Sequence, residues 1–169
     1  MASLADLLAA QCYYVAAPAL ADTKATRGVL IAQPMLRDVF ERGEKVDLAF
    51  LSVGDLTPAS TVTRVGLITR RDAQELLDAG AVGDICAHWI DRHGRIVDHP
   101  LNSRVVALSP AKLPAIRCVI VASGGRAKVI ALAGVRSGGM VNVLITDDEA
   151  ARGVLALADS IARARRSNE

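Results

Sequence analysis

The segment Ala122-Ser123-Gly124-Gly125-Arg126-Ala127-Lys128 follows an aliphatic run and leads into a helical pattern, an order in which anion sites are often built. Glycines let the backbone come close to an anion, N–H groups at a helix start point at it, and a lysine ammonium adds charge. The Gly-x4-Gly-Lys-Ser/Thr pattern of a P-loop is absent, and on spacing alone the segment reads equally as a tight strand-to-helix turn with a solvated lysine. In Ala79-Gly80-Ala81-Val82-Gly83-Asp84 small residues crowd one carboxylate. Asp84 can accept from a sugar hydroxyl, or cap nearby backbone amides. Arg64, with Thr57, Ser60, Thr61 and Thr63 nearby, can donate two parallel bonds to a phosphate or stand as a surface arginine.

Other chemistries find less support. His88, His93 and His99 are five and six residues apart, a spacing that in strand and turn does not bring three imidazoles to one face, so no metal is expected. Ser52 and Ser123 lack a Gly-x-Ser-x-Gly elbow, and no Ser, His and Asp order of a hydrolase presents itself. Cys12, Cys86 and Cys118 are widely spaced in apolar surroundings, which reads as buried free thiols of a reducing cytosol. No cofactor is expected.

The elements that would position these residues alternate. Leu4, Leu7, Leu8 and Ala10 follow helical spacing, and Cys12 to Ala17 reads as a buried strand stopped by Pro18. Asp22 to Arg42 holds one or two helices interrupted near Pro34, and Asp47 to Val53 a second aliphatic strand ended by Gly54. Asp55 to Gly66 reads as a loop, and Thr69 with Asp72 as a variant capping box opening a helix that ends at Gly80. Val82 to Ile90 reads as one strand, and Asp91 to Arg104 as a polar excursion with turns at Asp91-Arg92-His93-Gly94 and Asp98-His99-Pro100, followed by a short strand at Val105 to Leu108. Cys118 to Ala122, Ala127 to Val135, Val141 to Ile145 and Asp147 to Arg165 then repeat strand and helix, before a charged tail to Glu169. This rhythm argues for an α/β fold, a Rossmann-like, mainly parallel sheet with helices on both faces.

Composition agrees. Hydrophobic residues make up 51% of the 169 but aromatics only 3%, so Ala, Val, Leu and Ile must build the core, as buried parallel strands do. A chain of this size fits one domain that buries about 70% of its unfolded surface. With 20 Lys and Arg against 18 Asp and Glu, the chain has no field to grip nucleic acid unaided. Met1 to Gln11 carries Asp6 and no basic lead-in, and no apolar run reaches the ~18 residues of a membrane span, so a cytoplasmic protein without membrane contact is expected.

Seven pieces in order carry a resemblance: Asp47-Leu48-Ala49-Phe50-Leu51-Ser52-Val53-Gly54, Arg64-Val65-Gly66-Leu67-Ile68, Gly80-Ala81-Val82-Gly83-Asp84-Ile85, Asp91-Arg92-His93-Gly94, Leu101-Asn102-Ser103-Arg104-Val105, Ala122-Ser123-Gly124-Gly125 with Lys128, and Thr146-Asp147 with Ala150-Ala151. From Cys12 to Leu157 the chain resembles the effector-binding domain of SorC-type sugar-responsive transcription regulators. The resemblance implies the sugar phosphate isomerase and glucosamine phosphate deaminase fold, a sugar phosphate or polyol effector, DNA contact only through a separate helix-turn-helix domain, and a homo-oligomer. It places Arg64 and Lys128 on phosphate, Asp84 on sugar hydroxyls, Gly124 and Gly125 in the turn of the site, and Arg104 in a structural role. The family's first strand, its phosphate loop and its DNA-binding domain would precede Leu4, so this sequence is expected to be the effector domain lacking that unit. An isomerase or deaminase of the same fold, and an oligomerisation remnant that binds nothing, are the alternatives.

Overall fold

The computed structural model describes residues 2–166, with side chains described over 5–160. Helix α1 spans Ala2–Leu7, α2 Lys24–Ile31, α3 Pro34–Glu44, α4 Thr61–Arg64, α5 Arg70–Asp78, α6 Val129–Ser137 and α7 Asp148–Arg166. Strands are β1 Leu48–Leu51, β2 Val53–Gly54, β3 Gly83–Ile85, β4 His88–Ile90, β5 Cys118–Ala122 and β6 Val143–Ile145. Local chemistry sets the boundaries. Thr23 Oγ1 accepts the Thr26 N–H at the start of α2, and Pro34 opens α3 where its missing N–H costs nothing. The expected capping box is present: Thr69 Oγ1 accepts the Asp72 N–H at 3.1 Å, and Asp72 Oδ2 accepts the Thr69 N–H at 2.8 Å.

Two three-stranded sheets result. The first is parallel in the order β1-β5-β6, pairing Leu48 with Cys118 and Ile120 with Val143, and is the α/β unit expected from the repeated strand and helix. Ala49, Leu51, Val119, Val121 and Leu144 turn inward against Ala131, Leu132 and Val135 of α6 and Ala150 and Val154 of α7. On the opposite face Leu48, Phe50, Val143 and Ile145 stand exposed among the described residues, Phe50 at 66%.

The second sheet is antiparallel in the order β2-β3-β4. It corrects two expectations. Asp47 to Val53 is not one strand, because the chain leaves the parallel sheet at Ser52 and β2 joins the other. Val82 to Ile90 is not one strand either, but a hairpin folded at Cys86 and Ala87, whose φ angles are +51° and +58°. Two successive positive φ values are what a two-residue hairpin turn of the right twist requires, and here no glycine or asparagine supplies them. β4 is buried on both sides: Ile90 joins the core of the parallel sheet, while Trp89 joins a second core with Leu56, Ile68, Leu76, Leu101 and Val105.

The N-terminal connection departs further. Cys12 to Ala17 forms no strand, and residues 12–16 are exposed, so Cys12 is a surface thiol while Cys86 and Cys118 are partly buried. An apolar run without a neighbouring strand to take its N–H and C=O groups leaves them to water and stays irregular. Only Leu20 makes a bridge, to Val105, so Val105 to Leu108 is not a regular strand. Arg104 anchors this connection by donating from Nε to the Ala21 carbonyl at 2.6 Å. Helix α7 runs to Arg166, so the charged tail is helical that far, and residues 167–169 lie outside the described residues.

Candidate functional site

The carboxyl ends of β1, β5 and β6 lie side by side, the edge at which open parallel sheets receive ligands in a crevice. Ser52 follows β1, Ser123-Gly124-Gly125 follow β5, and Thr146-Asp147 follow β6. Ser52 Oγ donates to Ser123 Oγ at 3.1 Å, and Ser123 Oγ lies 3.3 Å from the Val53 carbonyl oxygen, which ties the parallel sheet to the first residue of the antiparallel one. Next to Val53, Gly54 pairs with Asp84 across β2 and β3. A methyl group at Gly54 would collide with Asp84 Oδ1, so the glycine makes room for the carboxylate.

Asp84 is the group under most stress in this crevice. It is 9% exposed, and its Oδ1 is buried without a hydrogen-bond partner. Burial pushes its pKa up to about 6; the Ala87 amide and the Lys128 ammonium pull it down, and the nearby Asp55 carboxylate adds to the rise. Asp55, also buried, accepts from the Thr57 N–H at 2.9 Å and from the Thr57 hydroxyl. A partly neutral carboxyl with one unpartnered oxygen can accept from or donate to a ligand hydroxyl.

Lys128 lies within electrostatic reach of Asp84, and no ion pair joins the two among the described residues. Gly124 and Gly125 lie at the same edge, Gly125 with φ +92°. Arg64 ends α4 as an exposed side chain, and among the described residues neither it nor Lys128 has an ion-pair partner. No contact joins Arg64 to Asp84 or Lys128 among the described hydrogen bonds. The helix start after β5 is also less open than its glycines suggest. Arg126–Lys128 is a 3-10 turn, and the Gly125 N–H donates to Asp147 Oδ2 at 2.5 Å. Asp147 Oδ1 accepts the Ala150 N–H at 2.8 Å, which caps α7. These two N–H bonds, Ala150 first, hold the Asp147 carboxyl below the ordinary range.

Sequence reasoning passed over Asp55 and Asp147 as parts of the site. Asp55-Leu56-Thr57 is the spacing of an aspartate that closes a turn on the residue two ahead, and Asp147 is an acidic residue between strand and helix, so both had a local signal. Among the described residues no three His, Cys, Asp or Glu side chains converge as metal ligands. A groove of about 450 Å³ lies elsewhere, lined by Val39, Phe40, Cys86, Val106, Ala107 and Leu108, which offers a polar ligand almost nothing to bond.

Residues 1–156 match the protein family described as "Putative sugar-binding domain". The chain belongs to this sugar-binding domain family. A relative in Brucella abortus (strain 2308), the "Erythritol catabolism regulatory protein EryD", is 28% identical over 92% of this chain and 49% of its own length. Among solved structures, a "DeoR family transcriptional regulator from Listeria monocytogenes" superposes with a TM-score of 0.84 at 29% identity, covering 88% of this chain and 61% of that one. The full-length sorbitol operon regulator SorC from Klebsiella pneumoniae, at 24% identity and a TM-score of 0.78 over 88% of this chain and 48% of its own, has the same fold. The chain spans about half the length of the curated relatives it matches. No described helix is long and apolar enough to cross a membrane.

Proposed function

We propose that this chain is the effector-sensing domain of a sugar-responsive transcription regulator of the cytoplasm, binding a sugar or sugar phosphate without turning it over while a separate domain contacts DNA. The observation that carries the reading is Asp84, buried with an unpartnered oxygen opposite Lys128, at the ligand-receiving edge of a sugar-binding domain. A buried carboxyl without a partner costs stability, and a hydroxyl-rich ligand supplies the missing bond. In this reading Lys128 offers charge to the other end of the ligand, Gly124 and Gly125 shape the wall beside it, and Arg64, exposed at the end of α4, is a further cation for a phosphate. Against an isomerase or deaminase stands the poverty of the crevice in paired acid and base: Asp84 alone has a pKa moved toward neutrality there.

Titration calorimetry with a panel of sugar phosphates and free polyols tests the reading. Lys128→Ala is expected to weaken the best ligand by roughly 1.5–3 kcal/mol, the cost of a charge-assisted bond, with an unchanged circular dichroism spectrum. Consumption of the ligand would make the chain an enzyme, and absence of binding across the panel would make it a scaffold.

A further inference from the structure

The turn after β5 contains its own anion. Of the two carboxylate oxygens of Asp147, one takes the Ala150 N–H and the other takes the Gly125 N–H, the amide that an incoming phosphate would need. The carboxylate also fills the space over Gly124, where a methyl group would collide with Asp147 Oδ2. Gly124 and Gly125 thus have a use that involves no ligand: they let the β5–α6 turn close onto the start of α7. An external anion at these amides would have to displace Asp147 or sit against its like charge.

We propose that Asp147 is a specificity residue of the crevice: by occupying the Gly124–Gly125 turn with its own carboxylate it keeps ligand anions off that turn, so that the turn faces uncharged hydroxyls and an anionic end of the ligand is met by Lys128 instead. The proposal rests on the effector-binding reading above and narrows it. Asp84 has the Asp55 carboxylate and the Lys128 ammonium near it, and Asp147 adds a carboxylate at the turn, a balance that suits a polyhydroxy ligand with at most one anionic group, oriented away from the turn.

Two variants open the turn and keep the helix cap. Asp147→Asn has one carbonyl oxygen in place of two, so it cannot serve both Ala150 and Gly125, and it carries no charge. Asp147→Ser, a good N-cap with a single hydroxyl, reaches the Ala150 N–H alone. The probe is inorganic phosphate, followed through the backbone amide resonances of Gly124 and Gly125 in the 15N-labelled full chain. The wild-type protein is expected to show no saturable shift of the Gly125 amide. Both variants are expected to show one, with phosphate affinity at that amide raised roughly tenfold or more, as removal of one like charge at close range allows. Saturable phosphate binding at the wild-type Gly125 amide overturns the proposal, and so does either folded variant that gains none. The same phosphate titration is independent of the sugar panel. A chain that binds no sugar but gains phosphate on Asp147→Asn refutes the effector reading and leaves the role of Asp147 at the turn standing, whereas a chain that binds sugar and takes phosphate at the wild-type turn does the reverse.

Discussion

The two sheets of this protein have the same number of strands and opposite relations to solvent. Every residue of β3 and β4 is buried, whereas β1 and β6 alternate between half-buried and exposed positions, with Phe50 and Ile145 turned outward. The antiparallel sheet lies between two cores and supports both, Ile90 on one side and Trp89 on the other. The parallel sheet supports one. Stability should therefore concentrate in the sheet with the shorter strands, and the parallel sheet should carry the freedom to meet other molecules at its edge and its open face.

The largest effect is expected at Trp89, which is fully buried. Its backbone is clamped by Asn102, whose Oδ1 accepts the Trp89 N–H at 2.9 Å and whose Nδ2 donates to the carbonyls of Trp89 and Val97. Trp89→Ala should cost about 3–5 kcal/mol in urea unfolding, the usual loss for a large aromatic in a packed core. The indole N–H has no acceptor, so Trp89→Phe should cost far less than Trp89→Ala. A small loss for Trp89→Ala would mean that the second core is loose and that the contrast between the sheets is one of exposure alone.

How legible this was follows the same division. The parallel sheet could be read because Cys118 to Ala122 and Val141 to Ile145 are aliphatic runs bounded by glycine or polar residues; of the second core, only α5 was announced, by Thr69 and Asp72. The antiparallel sheet was hidden for physical reasons. Burial on both faces erases alternation, so Val82 to Ile90 looks like a single buried strand. The reversal is made by Cys86 and Ala87, residue types that do not advertise a positive φ. At Ser52 the chain changes sheets within one apolar run. In the candidate site, Asp84 and Lys128 were singled out by their small and glycine-rich neighbours. That Asp147 answers the Gly125 amide was not legible, because it joins residues 22 apart on different loops.

The second expected effect concerns the wall that the antiparallel sheet lends to the crevice. Asp84 ordinarily would titrate at 3.8, and in the folded chain it does so at about 6. Between those values the unfolded chain has released a proton that the folded chain retains. Below the lower value this group costs nothing, stability then falls as pH rises, and above the upper value the loss is complete. Two units correspond to about 3 kcal/mol at full effect. Asp72 and Asp147, both held low, act in the opposite sense by losing stability as pH falls through their own range. They contribute equally to both proteins when Asp84→Asn is compared with the wild type, so the difference isolates Asp84. The variant should gain on the wild type by about 2 kcal/mol between pH 4 and pH 7 in urea unfolding, most of the full effect. A difference that stays flat with pH would mean that water reaches the carboxylate, and the antiparallel sheet would not be closed at the crevice.

The smallest effect is expected on the open face. Phe50 sits on β1 beside Leu48, with Val143 and Ile145 on the far strand of the same sheet. Phe50→Thr keeps a residue that suits a strand and removes little buried area, so the stability of the single chain should change by no more than about 0.5 kcal/mol. Its consequence should appear in association instead, because contiguous apolar side chains on a sheet face favour contact with further polypeptide. Light scattering at increasing concentration separates the two. If copies of this chain meet through this face, the apparent mass should rise for the wild type and stay lower for Phe50→Thr. Equal masses would remove Phe50 from any contact between copies. A loss of several kcal/mol in the monomer would show instead that this face is packed in solution, and that the parallel sheet is as closed as its antiparallel neighbour.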